Sequence, residues 1–514
     1  MISSSHPILS CEAAANLEAK RFGGDEAKEW PAMLQAGSGV AAAVVNDFKE
    51  IGGFPSRGRI LLLVGKGHNG GDAMLATAQL LKKYPNARAD LVFVFGERAL
   101  RPLASRAYRE LAQAAADRLA VTSATALSES YDLCLDGVFG FQFRPPADAA
   151  VKALFTRVNQ LSVRLRAAVD LPSADLFKAD FTYATGSVKE PLLTSPMPGR
   201  VRYLDLGFFS GTEKGRDRVL TAALLAPLAG LRSPQSDKRS QGHLLVLGGS
   251  RSYPGAVLMT VLAALRSGAG LVTAFVPESL APAFAARAPE AMWVGWPETP
   301  DGGLALEGMH LFQSRLARAT ACAIGPGLGR EKETLALVAD IVKTARIPVL
   351  LDADALQPEI VRAAKIPLVL TPHAGEFARI SGSSYERERV DGDAARPLAH
   401  ARSYTDLRAY SKKSHATVVL KGPVTRISNG AEIYHSFFGG PVLARGGSGD
   451  LLAGLVGGLL AQTPKDPLLA ATRGAVWHGI AADLLARAHG QTAVQTTQLL
   501  DFLADALRES ANEQ

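Results

Sequence analysis

The residues Gly446-Gly447-Ser448-Gly449-Asp450 open an apolar stretch, LLAGLVGGLLAQ, that has the composition of a buried helix. Successive glycines let backbone amides wrap an anion, and the start of a helix favours negative charge at the same place. Asp450, just inside such a turn, is placed to take a proton from a hydroxyl that attacks a phosphoryl group. The pattern also describes a plain glycine-rich helix start with Asp450 as its N-terminal charge. Lys421-Gly422-Pro423-Val424-Thr425 leaves the run TVVL and offers an amine and a hydroxyl to a nucleotide phosphate. A second glycine-rich turn, Gly65-Lys66-Gly67-His68-Asn69-Gly70-Gly71-Asp72, follows ILLLV and precedes MLATAQLLKK. It can hold a phosphate or a ribose, or be no more than a tight turn, because it matches neither the GxGxxG nor the P-loop spacing. Asp136 and Asp170 each end an apolar run, and Ser173 follows the second. Asn69, Asp136 and Ser173 together would supply hard oxygen ligands with one full charge, which suits a monovalent cation better than zinc or a divalent ion. Taken singly, each aspartate also reads as a turn cap.

These turns need strands to carry them. Apolar runs at 60–64, 90–95, 131–135, 167–170 and 201–206 alternate with alanine-rich stretches such as 74–83 and 104–119. That alternation predicts βα units around a mainly parallel sheet. A second series follows at 244–247, 271–276, 321–324, 348–351, 367–370 and 417–420. The polar, turn-rich segment 207–242 reads as a connection, with a boundary near residue 216 that gives domains at 1–215 and 216–514. A length of 514 residues favours two cores over one. In open parallel sheets the strand C-termini share one edge, so the loops after them converge where ligands bind.

Composition narrows the function classes. A net charge of +7, from 56 basic and 49 acidic side chains, is scattered without a basic tract or interleaved aromatics, which argues against nucleic-acid binding. Three isolated cysteines support neither a disulfide framework nor a CxxC metal site. No basic start followed by a sustained apolar stretch opens the chain, and no run of about 18 apolar residues occurs, so a membrane is not expected and a cytoplasmic location is.

The first region, over about residues 8–210, resembles the NAD(P)H-hydrate epimerase domain, whose hallmarks are an NNGGDG loop, an Asp-Gly-rich second loop and a VDIPSG segment. Here they read HNGGDA, DGVFGFQF and VDLPSA, followed by ADFTYATGSVKEPLL. The second region, over about residues 220–510, resembles the ADP/ATP-dependent NAD(P)H-hydrate dehydratase of the ribokinase-like superfamily. VLGGSRSYPGA, GPGLG, DADAL, TPHAGE, LKGPVT and GGSGD stand in that family's order. The resemblance implies an α/β chain of two domains, a Rossmann-like three-layer sandwich followed by a ribokinase-like α/β domain.

By that resemblance His68, Asn69, Gly70, Gly71, Asp72, Asp170 and the loop Gly140-Phe141-Gln142-Phe143-Arg144-Pro145-Pro146 contact a hydrate, and Asn69, Asp136 and Ser173 ligate potassium. Asp170 is the candidate for the proton movements of epimerisation. In the second domain Ala256, Gly327, His373 and Asp450 contact the hydrate, Asp450 as base. Lys421, Gly422, Pro423, Val424, Thr425, Gly446, Gly447, Ser448 and Gly449 contact the nucleotide. Asp352 and Asp354 read as a turn that caps the next helix. The implied reaction is repair of hydrated NADH and NADPH (NADHX and NADPHX): one domain interconverts the R and S hydrates, and the other dehydrates the S form with ADP and Mg2+, giving AMP and phosphate. A homo-oligomer such as a tetramer is also implied. A ribokinase-like small-molecule kinase fused to a non-catalytic sensing or interaction domain fits the same GGSGD motif. His68, Ala73, Ala174, Ala374, Arg445 and Ser448 depart from the family patterns, and Arg445 reads either as a charge near the phosphate or as a solvent-facing side chain.

Overall fold

A computed structural model describes residues 2–382 and 398–512. Among the described residues eighteen strands make two sheets. They are β1 (Ser5–Pro7), β2 (Arg59–Val64), β3 (Arg88–Phe93), β4 (Leu119–Val121), β5 (Ser130–Gly137), β6 (Ser162–Val169), β7 (Phe181–Thr185), β8 (Arg200–Leu204) and β9 (Asp217–Leu220). Then follow β10 (His243–Leu247), β11 (Leu271–Pro277), β12 (Met292–Trp296), β13 (Ala321–Ile324), β14 (Val349–Leu351), β15 (Leu368–Leu370), β16 (Ala416–Leu420), β17 (Thr425–Ser428) and β18 (Ile433–Ser436).

The first sheet is parallel throughout, in the order β4-β3-β2-β5-β6-β7-β8. Its strands are apolar along their length because helices cover both faces. Glu26–Phe48, His68–Lys83 and Pro102–Ala115 pack on one side, and Ala149–Gln160 on the other. The second sheet runs β1-β9-β18-β17-β16-β15-β14-β13-β10-β11-β12, parallel from β16 to β12. Helices Pro254–Arg266, Ser448–Gln462 and Pro467–His489 lie in its larger core, and Lys332–Thr344, Pro358–Ala363 and Ala374–Ser381 in the core of the other face. Ser448–Gln462 is buried from Leu451 to Ala461, as a helix apolar on all sides must be. Among the described residues no helix is long and apolar enough to cross a membrane.

Each sheet reverses its strand order once near its middle, at β2/β5 and at β10/β13. Neighbouring connections there leave toward opposite faces and open a crevice. Every apolar run of the sequence becomes a strand. β4, β7, β12, β17 and β18 are additional, and β17 and β18 are antiparallel to their neighbours in the ribbon β16-β17-β18. The turn-rich connection itself contributes β9. β1, near the N-terminus, pairs with β9, Ser5 opposite Leu220, so the chain's first strand belongs to the second sheet.

A buried ionic cluster joins the two halves. Arg202 and Arg200 on β8 reach Asp47 and Glu50 at the end of helix Glu26–Phe48 and Asp483 on helix Pro467–His489. Arg202 Nη1 lies 2.8 Å from Asp483 Oδ2 and Nη2 lies 2.8 Å from Asp47 Oδ1. Burial works against the Asp483 charge, but Arg202 and Arg200 outweigh it and hold the carboxyl below its ordinary value. The sign makes this contribution present at neutral pH and lost as pH falls through the acid range. Arg202→Ala should cost about 3–5 kcal/mol in a denaturant titration, because it takes the closest cation from buried Asp47 and leaves buried Asp483 with Arg200 alone. A cost under about 1 kcal/mol, the value of an exposed pair, would show that the cluster is solvated.

Candidate active sites

The first site forms where β2, β5 and β6 end. Its glycine-rich segment is more helical than a loop, since His68 to Asp72 are the first turn of His68–Lys83. Gly65 is required by close approach: a Cβ there would stand 1.8 Å from the Val138 carbonyl oxygen of the next strand's loop. That contact brings Asn69, Asp136 and Ser173 together. Ser173 Oγ donates to Asp136 Oδ1 at 2.7 Å and accepts from the Phe139 amide at 2.8 Å. The Ser173 amide donates to Asp136 Oδ2 at 2.8 Å. Asn69 Nδ2 donates to the Phe139 carbonyl at 2.9 Å. Burial pushes the Asp136 carboxyl up to about 6, against the hydrogen bonds from Ser173 and Val138. Ala174 takes φ +55, a left-handed conformation that glycine adopts freely and alanine only at a cost of about 1–2 kcal/mol.

Asp170 is buried, with φ +65, and its carboxylate is ion-paired with the buried Lys189 ammonium. Lys189 also donates to the Thr185 carbonyl at 3.1 Å, and its Nζ lies 5.0 Å from the Phe141 ring centroid. Burial raises the Asp170 carboxyl above its ordinary value, with Lys189 pulling the other way. The sequence reading passed over Lys189. Its signal was the lysine of ADFTYATGSVKEPLL, a stretch that resembles the epimerase family's but to which no site role was given.

Beside this pair lies a cavity of about 250 Å³ whose polar lining is Glu18, Glu29, His68, Asp72, Gln142 and Thr185. Asp72 is 8% exposed, and its Oδ1 has no hydrogen-bond partner. Burial, with Asp170 and Glu18 nearby, holds its carboxyl well above the ordinary range. Of the loop 140–146, Gln142 reaches the cavity, Phe143 stacks on Phe139 at 4.3 Å, and Arg144, Pro145 and Pro146 are exposed. Gly140 lies against the Asn69 side chain.

The second site collects the ends of β10, β13, β14, β15 and β16. Lys421 Nζ donates to Asp352 Oδ1 at 2.9 Å and stands 3.9 Å from Glu376 Oε2. Thr371 Oγ1 donates to the same Asp352 oxygen at 2.7 Å. Asp352, set aside as a turn cap in the sequence, is therefore the group that holds Lys421. Burial works against the Lys421 charge, but Asp352 and Glu376 outweigh it and raise the ammonium above its ordinary value. Lys421 in turn sits on the first turn of Ser448–Gln462, since a Cβ on Gly449 would be 3.2 Å from its Nζ. Burial and then Asp352 raise the Asp450 carboxyl to about 6, offset in part by Lys421. A carboxylate of that kind, beside an ammonium and a helix start, can accept a proton near neutral pH.

His373 caps helix Ala374–Ser381: its Nδ1 accepts from the Gly375 amide at 3.0 Å, while the side chain stays 62% exposed. Gly327, at φ +66, leaves 2.3 Å between a would-be Cβ and the Tyr253 carbonyl oxygen, and that Cβ would stand 3.1 Å from Ala256. Thr260 Oγ1 donates to the Asp450 carbonyl at 3.1 Å, joining the helix that carries Ala256 to the one that carries Asp450. The Ser448 hydroxyl donates to the Leu443 carbonyl at 2.7 Å and acts as a brace. Gly422 and Pro423 are exposed, Val424 packs against the cluster around Ile8 and Phe437, and Thr425 begins β17. Arg445 faces neither the anion turn nor solvent: it donates to the carbonyls of Gln491 at 2.6 Å, Thr492 at 2.7 Å and Val494 at 2.9 Å. Gly446 and Gly447 form the turn itself, with the Gly446 carbonyl held by Thr496 Oγ1 at 2.9 Å and Gly447 at φ +91.

Two family models match. Residues 244–505 match NAD(P)H-hydrate dehydratase, and residues 31–188 match the YjeF-related protein N-terminus. The bifunctional NAD(P)H-hydrate repair enzyme of Gloeobacter violaceus is 35% identical, over 92% of this chain and 93% of that one. Its counterpart from Moorella thermoacetica is 32% identical, over 94% and 93%. A solved ribokinase-like superfamily protein from Enterococcus faecalis covers 58% of this chain and 98% of its own, with 26% identity and a TM-score of 0.50. With both halves matched in order, and identities of 32% and 35% over nearly the full length of both chains, the chain belongs to the bifunctional NAD(P)H-hydrate repair enzyme family.

Proposed function

We propose that the protein repairs hydrated NADH and NADPH, its first domain (1–215) interconverting the R and S hydrates and its second (216–514) dehydrating the S form at the expense of ADP. The observation that carries the dehydratase reading is Asp450, raised to about 6 inside a glycine-rich helix start and flanked by Lys421. The hydrate's hydroxyl loses its proton to Asp450 and its oxygen bonds to the terminal phosphorus of ADP, while the bond to the AMP oxygen breaks. Phosphate then leaves with the carbon–oxygen bond, a proton leaves the adjacent carbon, and the ring double bond returns. The amides of Gly446 to Gly449 and the Lys421 ammonium face the charge that develops on the phosphoryl oxygens. Mg2+ would enter on the nucleotide phosphates, with Asp352 and Glu376 as the nearest carboxylates, in keeping with a cation held by one or two carboxylates plus phosphate.

Potassium fits the first site. Asn69, Asp136, Ser173 and the Phe139 carbonyl bring hard oxygens around one buried carboxylate, and a bound monovalent cation would neutralise that carboxylate and fix the 140–146 loop. His68 to Asp72, Gln142 and Asp170 would contact the hydrate, with Asp170 handling a proton. Ala256, Gly327 and His373 edge the second crevice on the hydrate side, and Lys421 to Thr425 on the nucleotide side. A cytoplasmic location and a homo-oligomer accompany this reading.

The reading is tested by incubating the full chain with separated hydrate epimers and ADP and following the return of the dihydronicotinamide absorbance. Accumulation of a stable phosphoester would instead mark a kinase. Asp450→Asn should lower dehydration by about 10²–10⁴-fold while ADP still binds and epimerisation is unchanged. In the parent enzyme the dehydration rate should fall as pH drops below about 6, where Asp450 takes up a proton. A folded Asp450→Asn enzyme with near-normal dehydration removes Asp450 as the base. Asp136→Ala should abolish potassium dependence of epimerisation and leave dehydration intact. Unchanged inversion of the hydrate by that variant would refute the cation assignment.

A further inference from the structure

The cavity beside Asp170 holds a group that neither motif includes. Glu18 lies on the first helix, Cys11–Phe22, outside the matched residues 31–188, and lines the cavity together with Glu29, His68, Asp72 and Gln142. Phe22, Met33 and Phe208 supply its apolar wall, with Arg21 at the rim, 5.0 Å from the Phe208 centroid. At about 250 Å³ the space is smaller than the roughly 300–1,000 Å³ that buries a whole ligand of drug size, so it takes one ring and not a dinucleotide. Among the described residues no lysine or arginine lines it, which leaves the substrate's phosphates outside and the uncharged hydrated ring inside. Asp72, a lining residue more than nine-tenths buried, has an Oδ1 without a hydrogen-bond partner, and a buried polar atom of that kind calls for one.

We propose that Glu18 is a catalytic residue of the first site, moving a proton to and from the hydroxyl of the hydrated ring held in this cavity. The proposal rests on the epimerase reading above. Water added to a dihydropyridine beside its nitrogen makes a carbinolamine. A proton passes from Glu18 to the hydroxyl oxygen, the carbon–oxygen bond breaks, and water leaves as the nitrogen lone pair forms a carbon–nitrogen double bond. The resulting cation is planar. Water returns to the other face and gives up a proton to a carboxylate, so the ring is inverted and nothing is consumed. A pocket lined by Glu18, Glu29 and Asp72 with Asp170 behind them stabilises that positive charge better than it stabilises the neutral ring, which is the differential binding catalysis requires.

The charged groups that act on Glu18 are Lys189, Asp170 and Glu29, and Glu29, His68 and Asp72 share its cavity lining. Burial, opposed by Lys189 and assisted by Asp170 and Glu29, raises the Glu18 carboxyl to about 7, where it can both give and take a proton at neutral pH.

The test is Glu18→Gln in the full chain, with conversion of R to S hydrate measured above the uncatalysed rate across pH. Dehydration of the S hydrate by the same preparation reports an intact second domain, and an unchanged hydrate KM in epimerisation reports that the first site is folded. Epimerisation kcat should fall at least about 100-fold with the hydrate KM within a few-fold. The limb of the parent's pH profile near 7 should vanish, and Glu18→Asp should recover part of the rate. A Glu18→Gln enzyme that epimerises within a few-fold of the parent, or keeps the parent's limb, overturns the proposal while leaving the epimerase reading intact. A parent that does not epimerise overturns both.

Discussion

A carboxylate buried at the C-terminal edge of a parallel sheet costs free energy unless something answers its charge, and both sites are built around that cost. Asp170 is answered by Lys189, and Asp352 by Lys421 and the Thr371 hydroxyl. Asp136 is answered by amides and the Ser173 hydroxyl. Asp450, Asp72 and Glu18 are answered incompletely, and burial raises all three carboxyls. The division is functional in effect. The groups left short of partners, the Asp170 Oδ2 among them, are the ones whose protons can be exchanged.

The strand order makes this arrangement available. At β2/β5 and β10/β13 the connections part, so loops from separated stretches of sequence face one another across a gap. Lys421 and Asp352 are 69 residues apart and joined by one hydrogen bond, and Ser173 and Asp136 are 37 apart and joined by two. Within the second core the apolar helix Ser448–Gln462 then fixes where Asp450 stands, because every side chain from Leu451 to Ala461 is packed.

The alternation of apolar runs and alanine-rich stretches was enough to read most of the parallel strands, though not β4, β7 or β12, together with the two α/β units and the glycine-rich helix starts in the sequence. β17 and β18 escaped because they carry Arg426, His435 and Ser436 into the interior, so they lack the apolar signature of the parallel strands. Lys189 and Glu18 escaped for a different reason. A lone charged residue reads as solvated surface until the fold places an opposite or equal charge beside it. Glu18 sits in CEAAANLEAKRF, a helix with a single fully buried residue, Ala14. Arg445 was ambiguous because its three acceptors are backbone carbonyls, at residues 491, 492 and 494, that no side-chain pattern announces.

The pairing of Ser5–Pro7 with Asp217–Leu220 ties the earliest part of the chain to an edge that is made only after the whole first domain has been synthesised. β9 in turn borders β18, at 433–436, so the seam closes late in translation. Until then the ribosome-bound protein carries a strand with no ladder, beside a first sheet already able to fold. Cutting the gene at the connection would leave that strand on one product and a bare sheet edge on the other, a ready template for unwanted pairing. The fusion of two enzymes in this chain is thus sewn at both ends, and separating them calls for moving the first few residues to the second partner.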